Sequence, residues 1–250
     1  TRISVNANVL QRIDQYRTEF PNAYHAVPLR HREMPYRVFL RLVQQRLQAT
    51  YDDDAYPYET AKHFRADIQM VAKSLADNNG HHAGLFAVRR LLRRIDTFGF
   101  HLVTLDIRQD ALLHRQVIGE CLGIDDWLEW SPQDRAARIV DAIRMKDPAP
   151  VKQSITVRKT LAVFQAIAFC RRKYGKEAIG PFIVSMTQGA DDILSILLLA
   201  NWSELHNRRG EVPMDVTPLL ETVDDLNNGP QILDELLNND LYRAHLAQRN

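Results

Sequence analysis

The sequence predicts a mostly helical α/β fold with a few parallel strands. Three observations carry that expectation. Apolar residues recur with helical spacing over most of the chain. Three short segments rich in Val, Ile, Leu or Phe break the pattern, each flanked by glycine, proline or helix-start residues. One strongly helical stretch separates the last two, which makes a β–α–β unit and implies parallel pairing.

In chain order, residues 3–20 carry Val9, Leu10, Ile13, Tyr16 and Phe20 as a stripe that stops at Phe20–Pro21. Pro35 opens a second helix over 36–50, with Val38, Phe39, Leu42, Val43 and Leu47 on its apolar side. The acidic loop 51-YDDDAYPYE-59 leads to a helix over 59–78, which 78-NNGHHAG-84 ends with polar residues and glycine. A further helix spans 85–98. The first strand is expected at 101–107 and turns directly into a helix. Ser131 followed by Pro132 reads as an N-cap and first helical residue for a helix reaching Met145. The loop 146–154 is the best internal linker. A long helix follows over 155–174, then a strand at 181–186, a helix over 190–203, a strand at 215–220 and a helix over 230–237. The expected division is a helical segment 1–98 and a strand-bearing segment 99–250. Three strands are too few to close a barrel.

With 45% apolar and 25% charged residues among 250, the chain has the composition of a globular domain. Its formal charge of +1 gives no global field for nucleic acid or an anionic membrane. Cys121 and Cys170 form neither a disulfide framework nor a metal spacing, and read as buried free thiols in a reducing compartment. No signal peptide is evident, and the longest apolar run, near 193–200, is too short to span a bilayer. A cytoplasmic protein is the default expectation. Both ends have the character of cuts, so a piece of something longer is expected.

Alternation along the first strand puts Leu102, Thr104, Asp106 and Arg108 on one face and Val103, Leu105 and Ile107 on the other. A guanidinium near the C-terminal end of a parallel strand can grip a phosphate or carboxylate with two hydrogen bonds, and a neighbouring carboxylate can hold it. A solvated surface pair accounts for the same pattern. In the third strand Asp215, Thr217, Leu219 and Glu221 share a face. Glu221 at that strand end suits Mg²⁺, which takes one or two protein carboxylates, or merely a favourable helix start. Asp191 and Asp192 read as first-turn residues answering the helix dipole. Arg89, Arg90, Arg93 and Arg94 read as a solvated or subunit-facing stripe, and the pair His81–His82 lacks further ligands for zinc. Phosphate-binding glycine loops and a nucleophile elbow are absent from the sequence.

Four ordered motifs go further. The stretch 98-FGFHLVTLDIRQDALLH-114 resembles the F-G-x-x-L-x-x-L-D-I-R-Q-x-S-x-x-H signature of the phosphoenolpyruvate carboxylase family. The stretch 182-FIVSMTQGADDILSILLL-199 resembles its I-S-M-(x)₅-D-V-L segment. The stretch 218-PLLETVDDLNNGPQILDELLNNDLYR-243 resembles its P-L-F-E-T-x-x-D-L-x-N segment. Upstream, 35-PYRVFLRLVQQRL-47 is similar to its E-P-Y-R helix.

The resemblance implies three strands of an eight-stranded β/α barrel. It also implies an enzyme that carboxylates phosphoenolpyruvate with bicarbonate to give oxaloacetate and phosphate, feeding the tricarboxylic acid cycle. The implied cofactor is Mg²⁺ or Mn²⁺, and the implied assembly is a homotetramer. By motif, Arg108 would bind the substrate's phosphate or carboxylate and act in catalysis. Leu219 would line the apolar pocket for the methylene carbon, and Glu221 would ligate the metal. Ala111, Ala190, Leu220 and Met34 stand where the family has other residues. The family's catalytic histidine, second metal carboxylate and mobile glycine-rich loop lie outside these 250 residues. The chain alone is therefore expected to be inactive and to depend on the rest of its own polypeptide. The alternative is a catalytically dead helical scaffold derived from the family.

Overall fold

The computed structural model describes residues 4–149, 153–207 and 209–249. The chain forms two compact units, 1–103 and 104–250.

The first unit is helical: α1 (Ala7–Glu19), α2 (Pro21–His25), α3 (Pro35–Asp52), α4 (Ala61–Asp77) and α5 (Phe86–Phe98). Pro21 at the first position of α2 forces the break after α1, because the residue before a proline disfavours helical geometry. The apolar stripes meet in one core around Tyr16, Phe39, Leu42, Ile68 and Val71. A single carboxylate, Asp67, lies inside it, fully buried. Tyr16 and Tyr58 both donate their hydroxyls to its Oδ2, and Arg12 Nη1 lies 3.2 Å from its Oδ1. Burial and the adjoining carboxylate push both tyrosine hydroxyls well above their usual pKa.

The second unit runs β1 (Leu105–Asp110), α6 (Ala111–Leu122), α7 (Pro132–Met145), α8 (Ile155–Tyr174), β2 (Ile179–Ser185), α9 (Ala190–Trp202), β3 (Val216–Pro218), α10 (Val223–Asn238) and α11 (Asp240–Ala247). The strands pair in parallel in the order β1–β2–β3, forming an open sheet. The fold is α/β, predominantly helical, with three parallel strands as the sequence predicts.

Register decides which side chains share a face. Arg108 is level with Ile183, and Ile183 with Thr217. Ile107, Phe182 and Val216 form the adjacent row, and Phe182 and Val184 are fully buried in the helical core. The alternate row, with Asp106, Arg108, Ile183 and Thr217, therefore lies on the opposite, open face. Against the core face packs α9, whose residues from Ala190 to Ala200 are all buried. Its seven apolar residues from Ile193 to Ala200, interrupted only by Ser195, thus form an all-round buried helix rather than a surface one.

Three elements depart most from expectation. The first strand begins at Leu105, not residue 101, and extends to Asp110. Gly99 and Leu102 both have positive φ, 51° and 66°, so residues 99–102 turn rather than extend. Leu102 and Val103, apolar in sequence, are exposed. The last strand is also shorter, at three residues. The final long helix starts at Val223, not Pro230. Thr222 Oγ1 accepts the Asp225 N–H, and Asp225 Oδ2 accepts the Glu221 and Thr222 N–H groups. That reciprocal cap nucleates the helix seven residues earlier, and Pro230 is carried inside it.

Candidate functional site

Arg108 is the fourth of six residues in β1, and Glu221 lies three residues beyond β3. β2 stands between their strands, and 113 residues separate them in sequence. The fold nonetheless brings them together: Arg108 Nη2 donates to Glu221 Oε1 across the open face. The Arg108 side chain is 58% exposed and that of Glu221 30%. Asp106, the neighbouring carboxylate on β1, is not the partner. Its carboxylate lies over Gly180, where β2 has an extra residue and a Cβ would collide with Asp106 Oδ1.

Leu219, two residues before Glu221, is half-buried. Its N–H donates to Val184 O at 2.9 Å, and its carbonyl accepts the Thr187 N–H at 3.4 Å. The β3 end that carries Glu221 is thus tied to the end of β2. The same geometry leaves one positively and one negatively charged group, Arg108 and Glu221, facing solvent on a sheet whose other face is dry.

Gln109 and His114, polar residues in the same sequence stretch, turn the other way. His114 is fully buried, its Nε2 hydrogen-bonded to Gln109 Oε1 at 3.0 Å and its ring against Phe182. Burial lowers its pKa to about 4, against the opposing pull of Asp192 and Asp110. It is a neutral core histidine. Ala111, at the serine position of the motif, is buried at the first position of α6. The cap there comes from Asp110, whose Oδ1 accepts the Leu112 N–H at 2.7 Å.

Asp191 and Asp192 do more than answer the dipole of α9. Asp192 receives two hydrogen bonds from Arg115, Nε at 2.8 Å and Nη2 at 2.7 Å, and also accepts the Gln188 N–H. Asp191 Oδ2 accepts from Arg135 Nε at 2.7 Å, while its Oδ1 is buried without a partner. Burial and the charge of Asp192 raise the Asp191 pKa to about 6. Sequence reasoning missed Arg115 and Arg135. The acidic doublet was the visible half of the signal, but its partners lie 77 and 56 residues away. Arg89, Arg90, Arg93 and Arg94 are all exposed on α5.

As a metal site, the open face offers Glu221 beside Arg108, because the carboxylates of β1 are placed elsewhere, Asp106 over Gly180 and Asp110 capping α6. Among the described residues no three His, Cys, Asp or Glu side chains gather. One carboxylate is within what Mg²⁺ takes when water and substrate oxygens complete its octahedron, so Glu221 fits a partial site. No helix among the described residues is long and apolar enough to cross a membrane.

The phosphoenolpyruvate carboxylase family model matches residues 1–250. The chain is 39% identical over 249 residues to a phosphoenolpyruvate carboxylase of Xanthomonas euvesicatoria pv. vesicatoria, covering 100% of this chain and 28% of that protein. It is 34% identical over 236 residues to one of Rhodopseudomonas palustris, covering 86% of this chain and 25% of that protein. With one of Prochlorococcus marinus the identity is 26% over 277 residues, covering 98% of this chain and 28% of that protein. The chain thus spans little more than a quarter of the length of these relatives. With the strand-end motifs in their order and a match along its whole length, the chain belongs to the phosphoenolpyruvate carboxylase family.

Proposed function

We propose that this chain is the segment of a phosphoenolpyruvate carboxylase that supplies the arginine gripping the substrate and one carboxylate for Mg²⁺ or Mn²⁺. The observation that carries the reading is the meeting of Arg108 and Glu221 on the open face of the sheet, from strands that are not neighbours. A half-exposed guanidinium whose partner among the described residues is one carboxylate can exchange it for an incoming phosphate or carboxylate, with two parallel hydrogen bonds.

In the reaction, a bicarbonate oxygen attacks phosphorus of phosphoenolpyruvate and the bond to the enol oxygen breaks. The products are carboxyphosphate and the enolate of pyruvate. Carboxyphosphate releases carbon dioxide and phosphate, and the enolate carbon then bonds to carbon dioxide to give oxaloacetate. Arg108 orients the phosphate and stabilises the charge that accumulates as it transfers. Leu219 presents an apolar wall to the methylene carbon. Glu221 would hold the cation, which when bound supplies positive charge to the enolate oxygen.

The remaining groups must come from the rest of the polypeptide. The outer edges of β1 and β3 pair with no strand among the described residues, and Leu105, Leu226 and Leu237 are exposed. These surfaces suit further strands and helices of a β/α barrel. The isolated chain is accordingly inactive, and the full-length enzyme is a cytoplasmic homotetramer. The test is steady-state oxaloacetate formation by the full-length protein carrying this sequence. Arg108→Ala should lower kcat/KM about 10²–10³-fold, the usual loss for one transition-state hydrogen-bond donor. Unchanged turnover would remove Arg108 from the site, and oxaloacetate formation by the 250-residue chain alone would refute its dependence on the rest.

A further inference from the structure

We infer that Arg115 is a positioning residue that fixes the separation of Arg108 and Glu221 by clamping the loop between β2 and α9. The inference rests on the reading of the site given under Proposed function.

The loop, residues 186–189, lies between the two strands that carry the site, and it is bonded toward both. Toward β3, Thr187 N donates to Leu219 O at 3.4 Å and Leu219 N to Val184 O at 2.9 Å, two residues before Glu221. Toward β1 the connection is Arg115. It stands on α6, which starts at the residue after β1, so its helix continues directly from the strand of Arg108. Arg115 Nη1 donates to Gln188 Oε1 at 3.1 Å. Its Nε and Nη2 grip Asp192, whose Oδ2 accepts the backbone N–H of Gln188 at 2.8 Å and of Gly189 at 3.3 Å. One guanidinium therefore holds the loop by a side chain and by the carboxylate that caps its backbone.

The Arg115–Asp192 half of the clamp is dry, and the loop backbone is tightly constrained. The Arg115 side chain is 11% exposed and that of Asp192 is fully buried. Met186 has φ of 56°, a conformation that residues with a side chain rarely adopt and that persists only when the surroundings enforce it. At Gly189 a Cβ would run into Asp191 Oδ1. Arg135 grips Asp191 from α7, an element with no proposed site residue. Beyond the β1–β2 pairing that ends at Ser185, Arg115 is the described side chain that links the loop to the helix continuing the strand of Arg108. A planar fork is needed to hold both Asp192 oxygens and Gln188 at once, which an ammonium cannot do in the same geometry. Small displacements at the reacting groups reduce rate far more than they reduce stability.

The test uses the full-length protein. Arg115→Lys keeps the charge and removes the fork. It should lower kcat/KM for phosphoenolpyruvate at least tenfold per folded enzyme, with fold monitored by circular dichroism. Gln188→Ala, at an exposed side chain, removes only one leg of the clamp. It should reduce kcat/KM severalfold without moving the melting temperature, a change that a purely structural role would not produce. Adding Gln188→Ala to Arg115→Lys should have less effect than on the wild type, because both act through one loop. Folded Arg115→Lys with kcat/KM within twofold of wild type overturns the inference. If Arg115→Lys does not fold, Gln188→Ala decides alone, and unchanged kcat/KM overturns it. A wild-type protein without carboxylase activity refutes the proposed function and this inference with it. An active wild type with unaffected variants refutes this inference only.

Discussion

Two of the arginine–carboxylate arrangements in the second unit differ in everything except residue type. On the open face of the sheet, Arg108 and Glu221 make one contact and remain in touch with solvent. Among the helices, Arg115 and Arg135 hold Asp192 and Asp191 in a cluster whose side chains are 11% exposed or less. The wet pair is weakly bound and exchangeable, because solvent screens it and stands ready to replace either partner. The dry cluster has no such substitute, so removing one member leaves its partners buried without compensation. The first unit solves the same problem differently, placing two tyrosine hydroxyls on the buried Asp67. The lesson is that burial, not residue identity, separates a pair that can meet a substrate from one that holds the scaffold.

That contrast can be broken by substitution. The largest stability effect is expected for Asp192→Ala, which leaves the buried Arg115 with the neutral Gln188 at 3.1 Å and, as its described carboxylate neighbour, Asp191 at 3.9 Å. Urea unfolding should show a loss of about 3–5 kcal/mol, the range for removing one partner of a buried pair. A loss below about 1 kcal/mol would mean that the cluster behaves like a surface pair.

Next in size is a pH effect with two opposing parts. Asp191 rises from its ordinary 3.8 to about 6, so the folded state binds the proton more tightly. Its contribution is fully present below pH 3.8 and is lost as pH rises toward 6. His114 falls from 6.5 to about 4, so the folded state releases its proton. Its contribution is fully present above pH 6.5 and is lost as pH falls toward 4. The His114 shift corresponds to roughly 3 kcal/mol at one pKa unit per 1.36 kcal/mol. The two slopes oppose each other in the wild type between pH 4 and 6. In Asp191→Asn, unfolding free energy should rise with pH across that window. In His114→Gln it should fall. Parallel profiles for both variants would contradict the assignment.

The smallest stability effect belongs to the open face. Glu221→Gln should change unfolding free energy by less than about 1 kcal/mol, as for other exposed pairs, although it removes the carboxylate that the activity is proposed to need. A larger loss would place Glu221 with the scaffold rather than the site.

Much of this was legible in the sequence, for identifiable reasons. The Ser131–Pro132 start and the end of α7 at Met145 coincide with the structure because capping is a local interaction. The helices of the first unit follow their apolar stripes to within a few residues. The start of α10 was misplaced because Pro230 suggested a helix start, whereas the cap formed by Thr222 and Asp225 is the stronger signal. The first strand was displaced because Leu102 and Val103 are apolar without being paired or buried.

Sequence by itself determined the helices, the three parallel strands and, through its ordered motifs, the family. Those motifs also singled out Arg108, Leu219 and Glu221, while strand alternation showed only which of their neighbours share a face. Only the tertiary structure decided who meets whom. Strand register and the crossovers between strands bring Arg108 to Glu221 rather than to Asp106, and Arg115 to Asp192 across 77 positions. A local pattern specifies the direction of a side chain relative to its own backbone. It carries no information on the distance to a strand that pairs two places away.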